Sequence, residues 1–165
     1  PNAAIKDRRF IIGKSKVGKE YPKDVLYNVC QIGNKIVGSK YTDENIIPDI
    51  LVKQGYVKCS IAVTGNNSCI TSDRGIMKIL KNNGIDVLLA EEKNIKLLKK
   101  DGSISNMRGF IGGASLVFDN KFVIFGDIDY IENKEKILEH LHKYNLELIN
   151  FKGLYIYDYG SGIIY

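Results

Sequence analysis

The sequence is poor in the residues that build cross-linked or metal-bound structure. It contains no tryptophan, three prolines, three cysteines and two histidines among 165 residues. The cysteines Cys30, Cys59 and Cys69 form no C-x-x-C pair, so their spacing predicts neither a disulfide framework nor a tetrahedral zinc site. We therefore expect no metal and no cofactor, and thiols of this kind fit a reducing cytoplasm.

Long apolar runs are also missing. The longest cover only a few residues, such as 87–90, whereas a membrane-spanning helix needs about 20. The sequence has no leader of basic, apolar and small residues, and it starts with Pro1 instead of methionine. We expect a cytoplasmic protein without membrane contact, whose N-terminus has been processed or continues in a longer chain.

Arginine is scarce, with four residues, and the net charge of +5 comes from 24 basic and 19 acidic residues. The lysines lie among carboxylates, as in residues 133–136, which dilutes any basic stripe. Nucleic-acid binding needs clustered basic residues with stacking aromatic side chains, so we expect no nucleic-acid partner. A hydrophobic fraction of 44% predicts a single domain over residues 1–165 with a substantial core.

The sequence does contain an internal repeat. Segments at about residues 27–52, 58–89 and 113–149 each pass through two β-rich runs, a helical or turn segment and a third β-rich run. Apolar runs at 9–12 and 159–165 match only part of such a unit. These units cannot bury their own sheet faces and must close against their neighbours. The repeat predicts an α/β fold of strand-strand-helix-strand units that is incomplete at its N-terminus.

Turn and capping residues place the elements within each unit. Hairpin turns are predicted at Asn34, Asn66 and Asp119. Helices are predicted near residues 73–83 and 133–144 from their caps and apolar stripes. Pro48 predicts a single turn instead of a helix in the first unit. Residues 91–108 are predicted to form an inserted, flexible loop.

Several segments of the repeat resemble the penteins, the α/β propellers that include arginine deiminase and agmatine deiminase. The resembling segments are residues 21–28, 53–60, 71–76, 109–115 and 157–161. They are spread over nearly the whole chain and are similar to a bacterial branch of this fold that has no assigned activity. The resemblance implies a pentein-type propeller around a pseudo-fivefold axis, with carboxylates that hold a cationic group near that axis.

The residues that carry out deimination in the penteins are not in place. That chemistry needs a cysteine thiolate, a histidine that passes protons, and carboxylates that hold the substrate. When the matching turns are aligned, Tyr56 stands at the histidine position and Ile111 at the glutamate position. His140 and His142 are expected on the polar side of the last helix, in solvent. We therefore expect no deiminase activity toward arginine or agmatine.

Polar side chains near the converging strand ends are candidates for ligand binding. They are Asp24, Asn28, Lys58, Ser60, Ser115, Asp158 and Ser161. Close packing at an axis and a polar pocket explain the small and hydroxyl-bearing residues among them equally well. Cys59 is expected at the start of a strand beside Lys58, whose charge would favour a thiolate, and it is a weak catalytic candidate. The alternative for Cys59 is a small, buried structural residue.

Three functions are open at this point. The first is a non-catalytic or divergent pentein that binds a small polar or cationic ligand at the axis. The second is a scaffold or interaction protein without a small-molecule site, like the ribosome anti-association factor of this fold. The third is a divergent guanidino- or amidino-group hydrolase or transferase that uses Cys59. Apolar end strands at 10–12 and 162–164 would need partners, which makes a homo-oligomer a further expectation.

Overall fold

Short strands dominate the computed structural model, which describes residues 3–6, 9–91, 93–99 and 101–160. Residues 3–6 and 9–10 are described by their backbone alone. Within these ranges the fold is mixed α/β, with few helices and five small sheets. Strands β1 (Ala3–Lys6) and β2 (Arg9–Ile12) form an antiparallel hairpin. The apolar run at 9–12 therefore has a strand partner, whereas residues 162–164 lie outside the described ranges.

The first predicted unit forms a three-stranded sheet. It contains β3 (Cys30–Ile32), β4 (Lys35–Ser39) and β5 (Ile50–Val52). β3 pairs antiparallel with β4 around the predicted turn at Asn34, and β4 pairs parallel with β5. Gly33 in this turn has a φ of 59°, which glycine adopts without the steric cost that a side chain brings. The connection between β4 and β5 contains turns and no helix, as Pro48 predicts.

The second unit repeats this pattern with a helix added. Its elements are α1 (Val57–Ser60), β6 (Ala62–Gly65), β7 (Ser68–Thr71), α2 (Arg74–Asn82) and β8 (Asp86–Leu89). β6 pairs antiparallel with β7 across the predicted turn at Asn66, and β7 pairs parallel with β8. Cys59 lies in the one-turn helix α1, so the expectation that it begins a strand was wrong.

The segment that was expected to be a flexible loop forms a hairpin. Strands β9 (Lys96–Leu98) and β10 (Ile104–Arg108) pair antiparallel, so the expectation of an unstructured insertion at 91–108 was wrong. The turn between them contains Gly102 with a φ of 81°. Asp101 and Gly102 form a dipeptide that favours hairpin turns, and this local signal outweighs the surrounding lysines.

The third unit again has the predicted order. Its elements are β11 (Ser115–Phe118), β12 (Lys121–Ile124), a 3-10 turn (Ile128–Tyr130), α3 (Lys134–Lys143) and β13 (Glu147–Ile149). β11 pairs antiparallel with β12 across Asp119, and β12 pairs parallel with β13. A last strand, β14 (Tyr157–Asp158), runs parallel to β9 and completes the sheet β10-β9-β14. The three predicted hairpin turns are thereby confirmed.

Both predicted helices are confirmed, and local chemistry explains the limits of α2. Asp73 caps α2 by accepting a hydrogen bond from the Ile76 backbone N–H at 2.9 Å. Gly84 follows α2 with a φ of 78°, the left-handed conformation that ends many helices. On α3, however, His140 is buried, and its Nε2 lies 2.9 Å from Thr64 Oγ1. The expectation that His140 is solvated was wrong, whereas His142 is exposed.

The apolar faces of these elements pack into two clusters. One cluster joins the first and second units and includes Val37, Val57, Ile76 and Leu80. The other joins the second and third units with Ile95 and Ile156, and its largest buried side chain is Phe122. No helix in the described part of the chain combines the length and apolar character that crossing a membrane requires.

Asp43 organises the backbone ahead of the first sheet. Its carboxylate accepts hydrogen bonds from the N–H groups of Lys14, Ser15 and Asn45 and from the Tyr27 hydroxyl. Burial alone would raise the pKa of this carboxyl, but the backbone hydrogen bonds outweigh burial and hold the pKa below its ordinary value of 3.8. The ionised form therefore stabilises the folded state above about pH 4, and this stability is lost as the pH falls.

We predict that Asp43→Asn lowers the melting temperature at pH 7 by about 5 °C or more, because backbone donors lose their charged acceptor. The difference between wild type and variant should shrink progressively as the pH is lowered below about 4, because the unfolded wild-type chain then binds a proton on Asp43 that the folded state, with its lowered pKa, does not. Thermal unfolding followed by circular dichroism between pH 3 and pH 7 measures both effects. A pH-independent difference would contradict this role of Asp43.

Candidate ligand-binding site

A cavity of about 660 Å³ opens between α1, the β9–β10 hairpin and the end of β14. We call it the Asp158 cavity. Most of its wall is apolar, with one acidic and one basic side chain. The lining residues are Gln54, Tyr56, Cys59, Leu97, Leu98, Met107, Arg108, Phe110, Asp158, Tyr159 and Gly160.

The Asn28 side chain holds α1 in place against this cavity. Its Oδ1 accepts hydrogen bonds from the backbone N–H groups of Lys58 at 2.6 Å and Cys59 at 3.4 Å. These groups lie in the first turn of α1, where N–H groups have no partner within the helix. The Nδ2 of Asn28 donates to Cys59 Sγ at 3.4 Å. One amide side chain from the first unit thus fixes both the helix and the thiol.

Asp158 is the acidic group of the cavity, and it is buried. Its Oδ2 accepts from the Phe110 backbone N–H at 2.8 Å, and its Oδ1 accepts from the Gly160 N–H at 2.7 Å. Burial raises the pKa of Asp158, while the two N–H groups and the nearby Lys58 charge oppose this rise. No basic side chain in the described ranges forms an ion pair with it.

Cys59 faces the same cavity as a protonated thiol. Its Sγ donates a hydrogen bond to the Gly160 carbonyl oxygen at 3.3 Å. Burial raises the pKa of Cys59, and the negative charge of Asp158 raises it further. The hydrogen bond from Asn28 and the charge of Lys58 act in the opposite direction but do not outweigh burial. The lysine beside Cys59 therefore does not make it a thiolate.

Two aromatic rings form a flat part of the wall. The rings of Tyr56 and Phe110 are stacked, with centroids 6.3 Å apart and an interplanar angle of 27°. The Tyr56 hydroxyl donates to Asp24 Oδ2 at 2.6 Å, and this bond together with burial raises the pKa of Tyr56 to about 12. Asp24 Oδ1 is buried and has no hydrogen-bond partner among the described residues. Asp24 thus supports Tyr56 and does not itself line the cavity.

The other candidate residues are not gathered at this cavity. Lys58 and Ser115 line a second cavity, and Ser115 Oγ donates to the Ile111 carbonyl oxygen at 2.6 Å. Ser60 is buried, and its Oγ has no hydrogen-bond partner among the described residues. Ser161 lies outside the described ranges. The structure therefore brings Asn28, Cys59 and Asp158 together at the Asp158 cavity, whereas Lys58 and Ser115 line the second cavity.

Neither histidine belongs to the Asp158 cavity. His140 is hydrogen bonded to Thr64, and burial lowers the pKa of its imidazole. Across the described part of the chain, no group of three or more histidine, cysteine or acidic side chains is arranged to hold a metal ion. The chemistry of the cavity therefore depends on a carboxylate, a thiol, an arginine and aromatic rings.

Much of the wall is formed by residues for which the sequence predicts no binding role. Leu97, Leu98 and Met107 come from the hairpin that was expected to be a loop. Tyr56 and Phe110 belong to segments that resemble the penteins, but no ligand-binding role is predicted for them. The Asp101-Gly102 dipeptide is a hairpin signal, and it could have predicted the strands that carry Leu97, Leu98 and Met107.

The fold and the cavity define a mixed α/β protein of small, repeated sheets with one buried carboxylate in an apolar cavity. Residues 3–164 match the model of a family described as a family of unknown function, DUF6873, and the chain belongs to this family. No curated protein and no solved structure matches the chain.

Proposed function

We propose that this protein binds a small organic cation with an apolar body in the Asp158 cavity. The observation that carries the proposal is the buried Asp158 carboxylate, which has no ion-pair partner in the described ranges. Burying an ionised carboxylate removes its hydration, and an opposite charge compensates this cost when it binds alongside. A cationic ligand supplies that charge.

The remainder of the cavity suits the apolar body of such a ligand. The faces of Tyr56 and Phe110 offer stacking and attract cations, and Leu97 and Met107 offer apolar contact. A volume of about 660 Å³ lies within the range of small-molecule sites. Arg108 at the same wall would favour ligands that carry an anionic group at the opposite end from the cation.

We also propose that the sheets are arranged as a pentein-type propeller. In four sheets the middle strand pairs antiparallel with one neighbour and parallel with the other. The first strands β3, β6 and β11 line one cavity together, and Gly33 packs directly against the Asn66 backbone. This recurrence supports a common axis and, with the sequence resemblance, a relation to proteins that bind guanidino compounds.

The proposal is tested with the isosteric pair benzamidine and benzamide, alongside arginine and agmatine, in thermal-shift screening followed by calorimetry. We predict that benzamidine binds at least about 30-fold more tightly than benzamide, because only the amidinium pairs with Asp158. In Asp158→Asn this preference should disappear. Because burial raises the pKa of Asp158, benzamidine affinity should fall as the pH is lowered through that raised pKa.

Asp127→Asn is the matched control. Asp127 is also buried and also accepts backbone hydrogen bonds, from Asp129 and Gly153, but it does not line the cavity. The control should keep the wild-type preference for benzamidine. Equal affinity for benzamidine and benzamide in the wild-type protein would refute the proposal.

A hydrolase or transferase that uses Cys59 is the second candidate, because this thiol faces the same cavity. A guanidino carbon held by Asp158 would lie beside the sulfur. The raised pKa of Cys59 weighs against it, and so do the positions of the two histidines, because neither lines this cavity. Ammonia release from agmatine that Cys59→Ser abolishes would put this candidate first.

A further inference from the structure

A second cavity, of about 940 Å³, lies where the hairpin turns of the three units meet. We call it the turn-end cavity. Residues from β3, β6 and β11 form its sides, and the turn residues Gly33, Asn66 and Asn120 form its rim. It shares no lining residue with the Asp158 cavity. A site here therefore uses other residues than the cation site proposed above.

Lys58 is the basic residue of the turn-end cavity. It is half-buried, and its ammonium group has no ion pair or hydrogen bond to any described residue. The exposed Asp119 also lines the cavity, and the charge of Lys58 acts on the buried Asp158. Asp158 is already bound by two backbone N–H groups. Lys58 thus brings to the cavity wall a positive charge that has no ion-pair partner among the described residues.

The surroundings of Lys58 are rich in neutral hydrogen-bonding groups. Gln31, Asn66, Asn120 and Asn145 are among the lining residues, and Asn66, Asn120 and Asn145 are exposed. The Gln31 amide nitrogen donates to the Gly33 carbonyl oxygen at 2.9 Å. Amide side chains donate and accept hydrogen bonds, which suits hydroxyl groups. The volume of about 940 Å³ leaves room for a ligand that extends from the lysine toward these amide-bearing residues.

We propose that the turn-end cavity binds a small polyhydroxylated anion, such as a sugar phosphate or sugar acid, with the anionic group on Lys58. The amide side chains hold the hydroxyl groups. The charge of the ligand compensates the ammonium, and the carbon skeleton lies along the inner strands. This assignment gives the protein two ligand sites of opposite charge preference, on the two sides of α1.

The test is an NMR titration of the wild-type protein with glucose 6-phosphate, gluconate and glucose. Saturable shifts of the backbone amide signals of Lys58, Asn66 and Asn120 are expected with both anions, and much weaker ones with glucose. Lys58→Gln should weaken anion binding about tenfold or more, whereas Lys58→Arg should keep it within about threefold. The hydrogen bonds of Lys58 to Asn28 and Ile61 are made by its backbone and not by its side chain. Both variants therefore keep the contacts that hold α1.

Lys121→Gln is the control, because Lys121 is an exposed lysine on β12 that does not line the cavity. This variant should bind the anions like the wild type. The proposal is overturned if neither anion gives saturable shifts at up to about 10 mM. It is also overturned if the shifted amide signals belong to residues beside exposed lysines over the whole surface. The same holds if Lys58→Gln and Lys121→Gln weaken anion binding equally.

Discussion

Gly113→Ala is expected to weaken benzamidine binding by at least about 30-fold. A Cβ atom at Gly113 would overlap Asp158 Oδ1 and crowd its Cγ at 2.6 Å. The carboxylate would have to leave its position and give up its hydrogen bonds to Phe110 and Gly160. This substitution keeps the negative charge of Asp158 but changes its position. Calorimetric titration of the variant measures the loss.

The double variant Gly113→Ala/Asp158→Ala separates the overlap from other effects. Removing the carboxylate relieves the overlap, so the double variant should be more stable than the sum of the single variants predicts. Urea unfolding of the four proteins in this cycle gives the coupling free energy. Additive effects, or a Gly113→Ala protein with wild-type benzamidine affinity, would show that Gly113 does not position Asp158.

Gly112→Ala is expected to reduce the free energy of unfolding by about 3 kcal/mol. A Cβ atom at Gly112 would overlap the backbone carbonyl oxygens of Lys58 and Ile61. These atoms belong to the backbone of α1 and the residue after it, so they cannot turn away as a side-chain end would. The helix that carries Cys59 would have to shift as a whole. Urea denaturation monitored by circular dichroism provides the value.

Gly102→Asn is the control for Gly112→Ala. Gly102 has a φ of 81° in an open turn with nothing within 4 Å of an added Cβ, and asparagine tolerates this backbone conformation. We expect a change within about 0.5 kcal/mol for the control. A similar decrease in the free energy of unfolding in both variants would mean that the close approach of Gly112 to α1 is not important for stability.

Local signals in the sequence predicted the elements whose chemistry is local. Asp73 and Gly84 bound α2 in the structure, and the hairpin turn at Asn66 has its expected place. The sheet β10-β9-β14 was missed because β14 joins β9 from about sixty residues further along the chain. Pairing across that separation has no local sequence signal, and the lysines around the Asp101-Gly102 turn favoured a solvated loop.

The site was predictable as a set of residues but not as an arrangement. Cys59 and Asp158 were selected, yet nothing in their spacing shows that Gly160 bridges them through its carbonyl and N–H groups. Lys58 was assigned to the same site as Asp158. Successive helical side chains diverge by about 100°, so Lys58 and Cys59 on the one-turn helix α1 line different cavities.

The most direct test of the cation site is a crystal structure of the protein grown with benzamidine well above its dissociation constant. We predict that benzamidine occupies the Asp158 cavity, with an amidinium nitrogen about 2.8 Å from a carboxylate oxygen of Asp158. Its ring should lie against the faces of Tyr56 and Phe110. An Asp158 cavity without benzamidine, or benzamidine bound with its amidinium directed away from Asp158, would contradict the proposed function.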